Sequence, residues 1–199
     1  MAIRDLACLR GGRLLFAGVN LALTAGGSAQ IAGPNGAGKS SLLRIVAGLL
    51  RPFAGSAQCT GTIALTDELT ALDRERTVRD ALAFWARIDA APAGRIDAAL
   101  SDLAIPHLAD IPVRMLSTGQ RKRAALARML ISDAPIWLLD EPANGLDTDA
   151  AALLGRLVEQ HRAAGGIVLA ASHLPLGWAQ DETIALTPPI SPADEPDAP

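Results

Sequence analysis

The alternation of apolar and polar positions divides the chain into short extended runs and longer helical ones. From Ala2 to Leu23, short apolar runs are separated by Gly11-Gly12 and by Ala17-Gly18, which predicts an antiparallel, hairpin-like lobe. Ser28 to Ala32 reads as a short buried strand, and Ser41 to Ala47 as a helix that ends near Gly48. Arg51-Pro52-Phe53-Ala54-Gly55-Ser56 turns the chain, and Ser56 to Cys59 and Thr62 to Leu65 read as two further strands of the lobe. Between Thr77 and Asp110 the period becomes helical. Thr77-x-x-Asp80 predicts a capping box ahead of a face made of Ala81, Leu82, Trp85 and Ile88. Beyond Ala91-Pro92-Ala93-Gly94, residues Ile96, Ala99, Leu100 and Leu103 repeat at helical spacing, which predicts a second helix from Arg95 to Leu103. The pair reads as an inserted helical subdomain, and periodicity alone equally allows two core helices.

Pro106 and Pro112 mark loops before a helix-prone run from Arg121 to Ile131. The unbroken apolar run Ile136-Trp137-Leu138-Leu139 is the pattern of a parallel strand buried on both faces. Asn144-Gly145-Leu146-Asp147 is a turn, after which Thr148 or Asp149 can cap a helix running to about Ala164, where Gly165-Gly166 stops it. Ile167 to Ser172 is another buried strand. The last stretch, Thr187 to Pro199, carries Pro188-Pro189 and several acids with little to bury, and is expected to be disordered. A single domain over residues 1–186, with a helical part at about 77–131, accounts for the rest.

Composition narrows the function classes. The 199 residues suffice for one well-cored domain, and half of them are hydrophobic. Leu14 to Gly38 contains no charged side chain, yet Asn20, Gln30, Pro34, Asn35 and repeated glycines interrupt it, whereas a membrane span needs about 20 apolar residues in a row. The first residues lack the basic and apolar regions of a secretory signal, so a cytoplasmic protein is expected. A net charge of −3 argues against a nucleic-acid partner. Cys8 and Cys59 have no metal-ligand spacing and read as reduced, packed thiols.

The candidate chemistry centres on Gly33-Pro34-Asn35-Gly36-Ala37-Gly38-Lys39-Ser40, which fills every fixed position of the pattern G-x-x-x-x-G-K-[ST] between a strand and a helix. Glycines let backbone N–H groups approach crowded phosphates at a helix N-terminus. Lys39 would reach the β- and γ-phosphates, and the Ser40 hydroxyl would be a ligand to Mg²⁺. Leu116-Ser117-Thr118-Gly119-Gln120 can offer a hydroxyl and an unhindered N–H at the start of a helix, where the dipole favours a phosphate. Arg121-Lys122-Arg123 adds positive potential, or is a solvated basic face. Asp140 and Glu141 emerge at the carboxyl end of the Ile136 strand, where ligands bind in open parallel sheets. Asp140 can hold Mg²⁺ through its waters, and Glu141 can orient or deprotonate an attacking water. Paired acids after a strand can also be a helix cap, and His173, just past the next strand, can be structural.

Taken in order, the phosphate loop, Leu116 to Gln120, Trp137-Leu138-Leu139-Asp140-Glu141-Pro142, Gly145-Leu146-Asp147 and Ser172-His173 resemble the nucleotide-binding subunit of ABC transporters. The resemblance extends to about Leu186. It implies an α/β P-loop NTPase with a RecA-like core, an antiparallel β lobe and an inserted α-helical subdomain. It further implies ATP and Mg²⁺ as ligands, with Gly36 to Ser41 on the phosphates, Asp140 and Ser40 on the metal, and Glu141 as general base. His173 becomes the switch residue, Asp147 a dimer contact, and Ser117, Gly119 and Gln120 the donors that a second copy of the chain presents in a head-to-tail ATP sandwich. More narrowly the sequence is similar to the ATPase of the haem exporter of bacterial cytochrome c maturation, on Arg10 to Gly18, Gly33 to Leu50, Thr77 to Trp85 and Leu116 to Leu130. The ATPases of other small ABC exporters share most of these motifs. A soluble ABC ATPase acting on DNA or ribosomes is the rival outside transport. The narrower likeness implies integral membrane partners (CcmB-like, with CcmC- and CcmD-like companions) and a peripheral position on the cytoplasmic face of the inner membrane. It implies no nucleic acid and no direct haem binding, and a groove between β lobe and helical part that receives a helix of the membrane subunit. Two positions depart from the family pattern. Glu68, beside Asp67, stands where a Gln usually couples Mg²⁺ to the membrane subunit. Arg10 stands where an aromatic ring usually stacks on adenine; its guanidinium can stack there, and Phe16 is the other candidate.

Overall fold

Helix α1 (Lys39–Val46) lies between two sheets. The computed structural model describes residues 1–66 and 71–187. On one side is an antiparallel sheet of β1 (Ala2–Arg10), β2 (Arg13–Ala22) and β4 (Ala54–Gln58), in the order β2-β1-β4. On the other is a parallel sheet of β3 (Ser28–Ala32), β5 (Ile63–Thr66), β6 (Ile136–Asp140), β7 (Ile167–Ala171) and β8 (Glu182–Ala185), in the order β5-β6-β7-β3-β8.

The antiparallel lobe follows the apolar pattern, with two corrections. Gly18 does not divide β2. Leu6 pairs with Val19 and Cys8 with Phe16, so β2 carries one extra residue between the two pairs, and Gly18, at φ +68°, bends the strand there. Opposite the bend Asp5 also has positive φ, and Asn20 clasps it by accepting from the Asp5 N–H and donating to the Asp5 carboxylate. The second correction concerns β5, which was expected in the lobe. It pairs in parallel with β6, from Ile63 with Ile136 to Thr66 with Leu139, and so forms an edge of the other sheet.

Strand β6 is buried along its whole length, and its pleat sends alternate side chains to opposite faces. Ile136 and Leu138 pack with α1 and the antiparallel lobe, among Phe16, Leu42 and Leu43. Trp137 and Leu139 pack on the other face among Leu82, Leu100, Leu126 and Val158. That second face is covered by α2 (Val78–Ile88), α3 (Arg95–Asp102), α4 (Thr118–Ser132) and α5 (Thr148–Ala163). The Thr77 hydroxyl accepts from the Asp80 N–H at 3.1 Å, so Thr77 caps α2 with one half of the expected capping box. Ile88, however, is 58% exposed, and Val78 takes the inward place instead. The Trp137 ring stacks on His161 with centroids 3.8 Å apart, and burial holds the His161 pKa below its ordinary value, with backbone hydrogen bonds and Asp133 opposing more weakly. Residues 67–70, with Glu68, and the expected disordered tail from 188 onward lie outside the described residues.

A single arginine ties the far end of the parallel sheet together. Arg162, near the end of α5, donates to the carbonyls of Gly26 and Ala179 and to both oxygens of Asp181, which in turn accepts from the Ser28 N–H. Its side chain is 14% exposed, so these bonds are only partly replaced by water when it is removed. Arg162→Met is expected to lower the free energy of unfolding by roughly 2–4 kcal/mol, read from the urea midpoint, while leaving nucleotide affinity unchanged.

Candidate functional site

The sheet order gathers the motifs. Strands β6, β7 and β3 are neighbours, all parallel, so their carboxyl ends lie side by side. Those ends lead into Asp140-Glu141, into Ser172-His173 and into the loop from Gly33 to Gly38. Residues 140, 141, 173 and 33–40, far apart in sequence, therefore converge on one edge of the sheet.

The loop takes its shape from its glycines. Gly38 caps α1 at φ +101°, and a Cβ there would come within 2.9 Å of the Phe16 ring. A Cβ on Gly33 would come within 2.7 Å of the Leu186 carbonyl. No side chain caps α1, which leaves its first N–H groups for an anion to meet. Lys39 is buried and folds back over the loop, its Nζ donating to the Gly33 and Pro34 carbonyls at 2.9 and 3.3 Å. The same Nζ is 3.6 Å from Glu141 Oε1.

Glu141 links the loop to the neighbouring strand. Its other oxygen, Oε2, lies 2.9 Å from His173 Nδ1, which assigns the ring proton to Nδ1 because an ionised carboxylate only accepts. Its backbone stands at φ +44°, a left-handed conformation that costs a non-glycine residue of order 1–3 kcal/mol. The Glu141 N–H donates to Ala171 at 2.9 Å, and its carbonyl accepts from the Asn144 N–H at 3.2 Å and from Lys122 Nζ. The fold thus holds this carboxylate in a strained position between Lys39 and His173.

Lys39, Ser40, Ser41, Asp140 and Glu141 line one open cavity of about 610 Å³, together with Asn35, Gly36 and Gly38 of the loop. Ser40 and Asp140 bring a hydroxyl and a nearly buried carboxylate to it, hard oxygen donors that suit Mg²⁺. Among the described residues no group of three or more His, Cys, Asp or Glu could hold a metal ion by itself. A metal here would complete its shell with phosphate oxygens and water, the usual habit of Mg²⁺. Behind the loop, Cys8 is buried beside Ser41, and burial raises its thiol pKa, so it stays a packed thiol.

Other expected site residues stand elsewhere. Ser117, Gly119, Gln120 and Asp147 do not line this cavity. Helix α4 begins at Thr118, three residues earlier than the sequence pattern placed it, because Ser117 and Gln120 cap it reciprocally: the Gln120 N–H donates to Ser117 Oγ at 3.2 Å, and the Ser117 N–H donates to Gln120 Oε1 at 2.9 Å. The Ser117 hydroxyl keeps its own proton to donate outward, and it is exposed. Asp147 is the cap of α5, accepting from the Ala150 N–H at 2.8 Å, in place of Thr148 or Asp149. Gly119 packs so closely on the Gly145 carbonyl that a Cβ would come within 2.9 Å of it. Arg121, Lys122 and Arg123 are half-buried, with Arg121 on the Leu116 carbonyl and Lys122 on that of Glu141, so the run is no solvated face. Phe16 is buried under Gly38, away from the cavity, whereas Arg10 lines it. The sequence reading missed Arg44, which shares the α1 face of Ser40 at i, i+4, and Gln30, whose amide donates to the Ser172 and Leu174 carbonyls and steadies the His173 turn.

The family model described as ABC transporter matches residues 16–144. The chain is 54% identical over 176 residues to the cytochrome c biogenesis ATP-binding export protein CcmA of Sphingopyxis alaskensis, covering 88% of this chain and 91% of that one. It is 50% identical to the protein of the same name from Zymomonas mobilis, covering 94% of this chain and 84% of the relative. An ABC transporter ATP-binding protein from Pyrococcus furiosus superposes with a TM-score of 0.81 at 25% identity, over 93% of this chain and 96% of that one.

Proposed function

The chain belongs to the ABC transporter ATP-binding family, and from that premise we propose that it powers a membrane exporter serving cytochrome c biogenesis, in the manner named for its CcmA relatives. It is an ATPase subunit. The observation that carries the reading is the division of the site: Lys39, Asp140, Glu141 and His173 meet at one sheet edge, while Ser117 and Gly119 stand outside the cavity. One chain therefore offers half of a catalytic centre, and a second copy, docked head to tail, supplies the other half.

In this mechanism the loop N–H groups and Lys39 bind the phosphates, Lys39 exchanging the Gly33 and Pro34 carbonyls for phosphate oxygens. Glu141 accepts a proton from the water that attacks the γ-phosphorus as the bond from phosphorus to the β–γ bridging oxygen breaks, giving inorganic phosphate and ADP, and His173, hydrogen-bonded to Glu141, senses whether the γ-phosphate is present. Ser117 and Gly119 of the second copy donate to that phosphate and close the pair; Gln120 holds Ser117 in place, and Asp147 fixes the turn at the seam. Mg²⁺, held by Ser40 and Asp140, would neutralise charge developing on the phosphates. Glu68, outside the described residues, holds the sequence position of the coupling glutamine and would serve as a further carboxylate for the metal.

Among the described residues no helix is long and apolar enough to cross a membrane. In this reading the link to the bilayer is the role of partner subunits. We assign that role to CcmB-like integral subunits with CcmC- and CcmD-like companions, at the cytoplasmic face of the inner membrane, the membrane subunits handling haem. Leu49 and Phe53 after α1, and Phe84 and Ile88 on α2, are exposed apolar side chains suited to such docking. Purification from detergent-solubilised membranes tests this: the chain is expected to co-fractionate with integral subunits. Recovery with DNA or ribosomes instead would favour the soluble reading.

A further inference from the structure

The chain carries 18 lysine and arginine side chains, and only two of them, Lys39 and Lys122, are lysines. Both meet Glu141. Lys39 Nζ stands 3.6 Å from the carboxylate oxygen Oε1, and Lys122 Nζ donates to the backbone carbonyl of the same residue. The first contact belongs to the phosphate site. The second reaches across from α4.

Helix geometry explains how Lys122 arrives there. Gly119 and Lys122 are three residues apart on α4, so they share a face. A Cβ on Gly119 would stand 2.9 Å from the Gly145 carbonyl, and the Thr118 methyl is 3.6 Å from where a Cβ on Gly145 would stand. A glycine at 119 therefore lets the helix settle on the far end of the stretch from Glu141 to Gly145. One turn on, the half-buried Lys122 side chain spans to the near end.

A bond to that carbonyl acts on the carboxylate through the backbone. Glu141 sits at φ +44°, where a residue with a side chain stays only if its surroundings hold it. The Ala171 carbonyl accepts from its N–H and fixes the peptide before the Cα. The peptide after the Cα is held by the Asn144 N–H, which belongs to the same short turn and moves with it, and by Lys122, which stands on a separate helix. With both peptides fixed, the direction of the Cα–Cβ bond is fixed too. Releasing the second lets the side chain swing away from Lys39 and His173.

Resting on the reading of Glu141 as general base, we infer that Lys122 is a positioning residue for hydrolysis: its bond to the Glu141 carbonyl aims the base at the attacking water. Ser117 caps the same helix, so the element that presents a donor to a second copy also holds the base of its own chain. A single carbonyl oxygen asks for one cationic donor and not for a planar fork, so an arginine can replace the lysine here.

The test is ATP binding at equilibrium and single-turnover hydrolysis by the full chain with Mg²⁺, for Lys122→Met and Lys122→Arg, with Lys122→Met also combined with Glu141→Gln. Lys122→Met is expected to bind ATP within about threefold of the native chain and to turn it over roughly ten to a hundred times more slowly, as an ångström-scale misplacement would cause. Lys122→Arg is expected to recover most of that loss. Added to Glu141→Gln, Lys122→Met is expected to slow the residual rate no further, because its effect runs through the carboxylate. Lys122→Gln, which keeps the half-buried place polar, serves in the same way if the methionine variant does not fold. Native turnover in Lys122→Met, or the same fractional loss with and without Glu141→Gln, would overturn the inference. If Glu141→Gln alone keeps native turnover, the reading of Glu141 as base fails and the inference falls with it.

Discussion

Replacing Glu141 by glutamine is expected to keep ATP affinity within about threefold of the native chain and to lower turnover by roughly two to four orders of magnitude, the range general-base catalysis supplies. The amide keeps the size and one acceptor, so the contact with His173 Nδ1 survives, but it cannot take a proton. The 3.6 Å ion pair with Lys39 is lost, which frees the amine for phosphate. ATP binding thus persists while hydrolysis stops, and the variant accumulates a closed dimer with ATP. Steady-state turnover, equilibrium binding and size-exclusion chromatography with ATP check the three parts. Unchanged hydrolysis would remove Glu141 as the base.

Lys39→Ala and Ser117→Arg are expected to fail for different reasons. Lys39 is buried and, among the described residues, bonded to loop carbonyls and Glu141, so its loss removes an ammonium group from over the phosphates; nucleotide affinity falls by about two orders of magnitude, in line with deleting one partner of a buried charge pair. Ser117 is exposed and outside the cavity, so an arginine there leaves binding by the separate chain intact. It blocks closure against a second copy, and turnover is lost while the open chain still binds ATP. Binding and turnover measured on each variant separate the two effects.

Much of this site was legible because its residues act through local chemistry. The phosphate loop needs glycines at fixed spacing, and the acid pair follows an apolar run that only a buried strand explains, so both could be read without knowing their neighbours. The convergence of Asp140, Glu141 and His173 on the loop could not, because it depends on β7 lying between β6 and β3, a long-range pairing. The same limit misplaced β5, whose four residues fit either sheet, and concealed β8, a short and largely exposed strand that, among the described residues, pairs with β3 alone. Gly18 reads as a break, although a bulge answered by Asp5 and Asn20 lets the strand continue. Asp147 reads from the sequence as a dimer contact, and the structure shows it as the cap of α5, a role that one carboxylate oxygen fills by accepting from the Ala150 N–H. The positive φ of Glu141 has no sequence signal, and its backbone is held by long-range bonds to Ala171 and Lys122 and a local one from Asn144.

The central claim is that each catalytic centre is shared between two copies. Mixing the Lys39→Ala and Ser117→Arg chains tests it most directly. In a mixed pair one centre combines both defects, but the other combines an intact phosphate loop with an intact Ser117. The account predicts that the mixture hydrolyses ATP although neither variant does so alone, with activity rising as mixed pairs form. A mixture no more active than its separate components would contradict it.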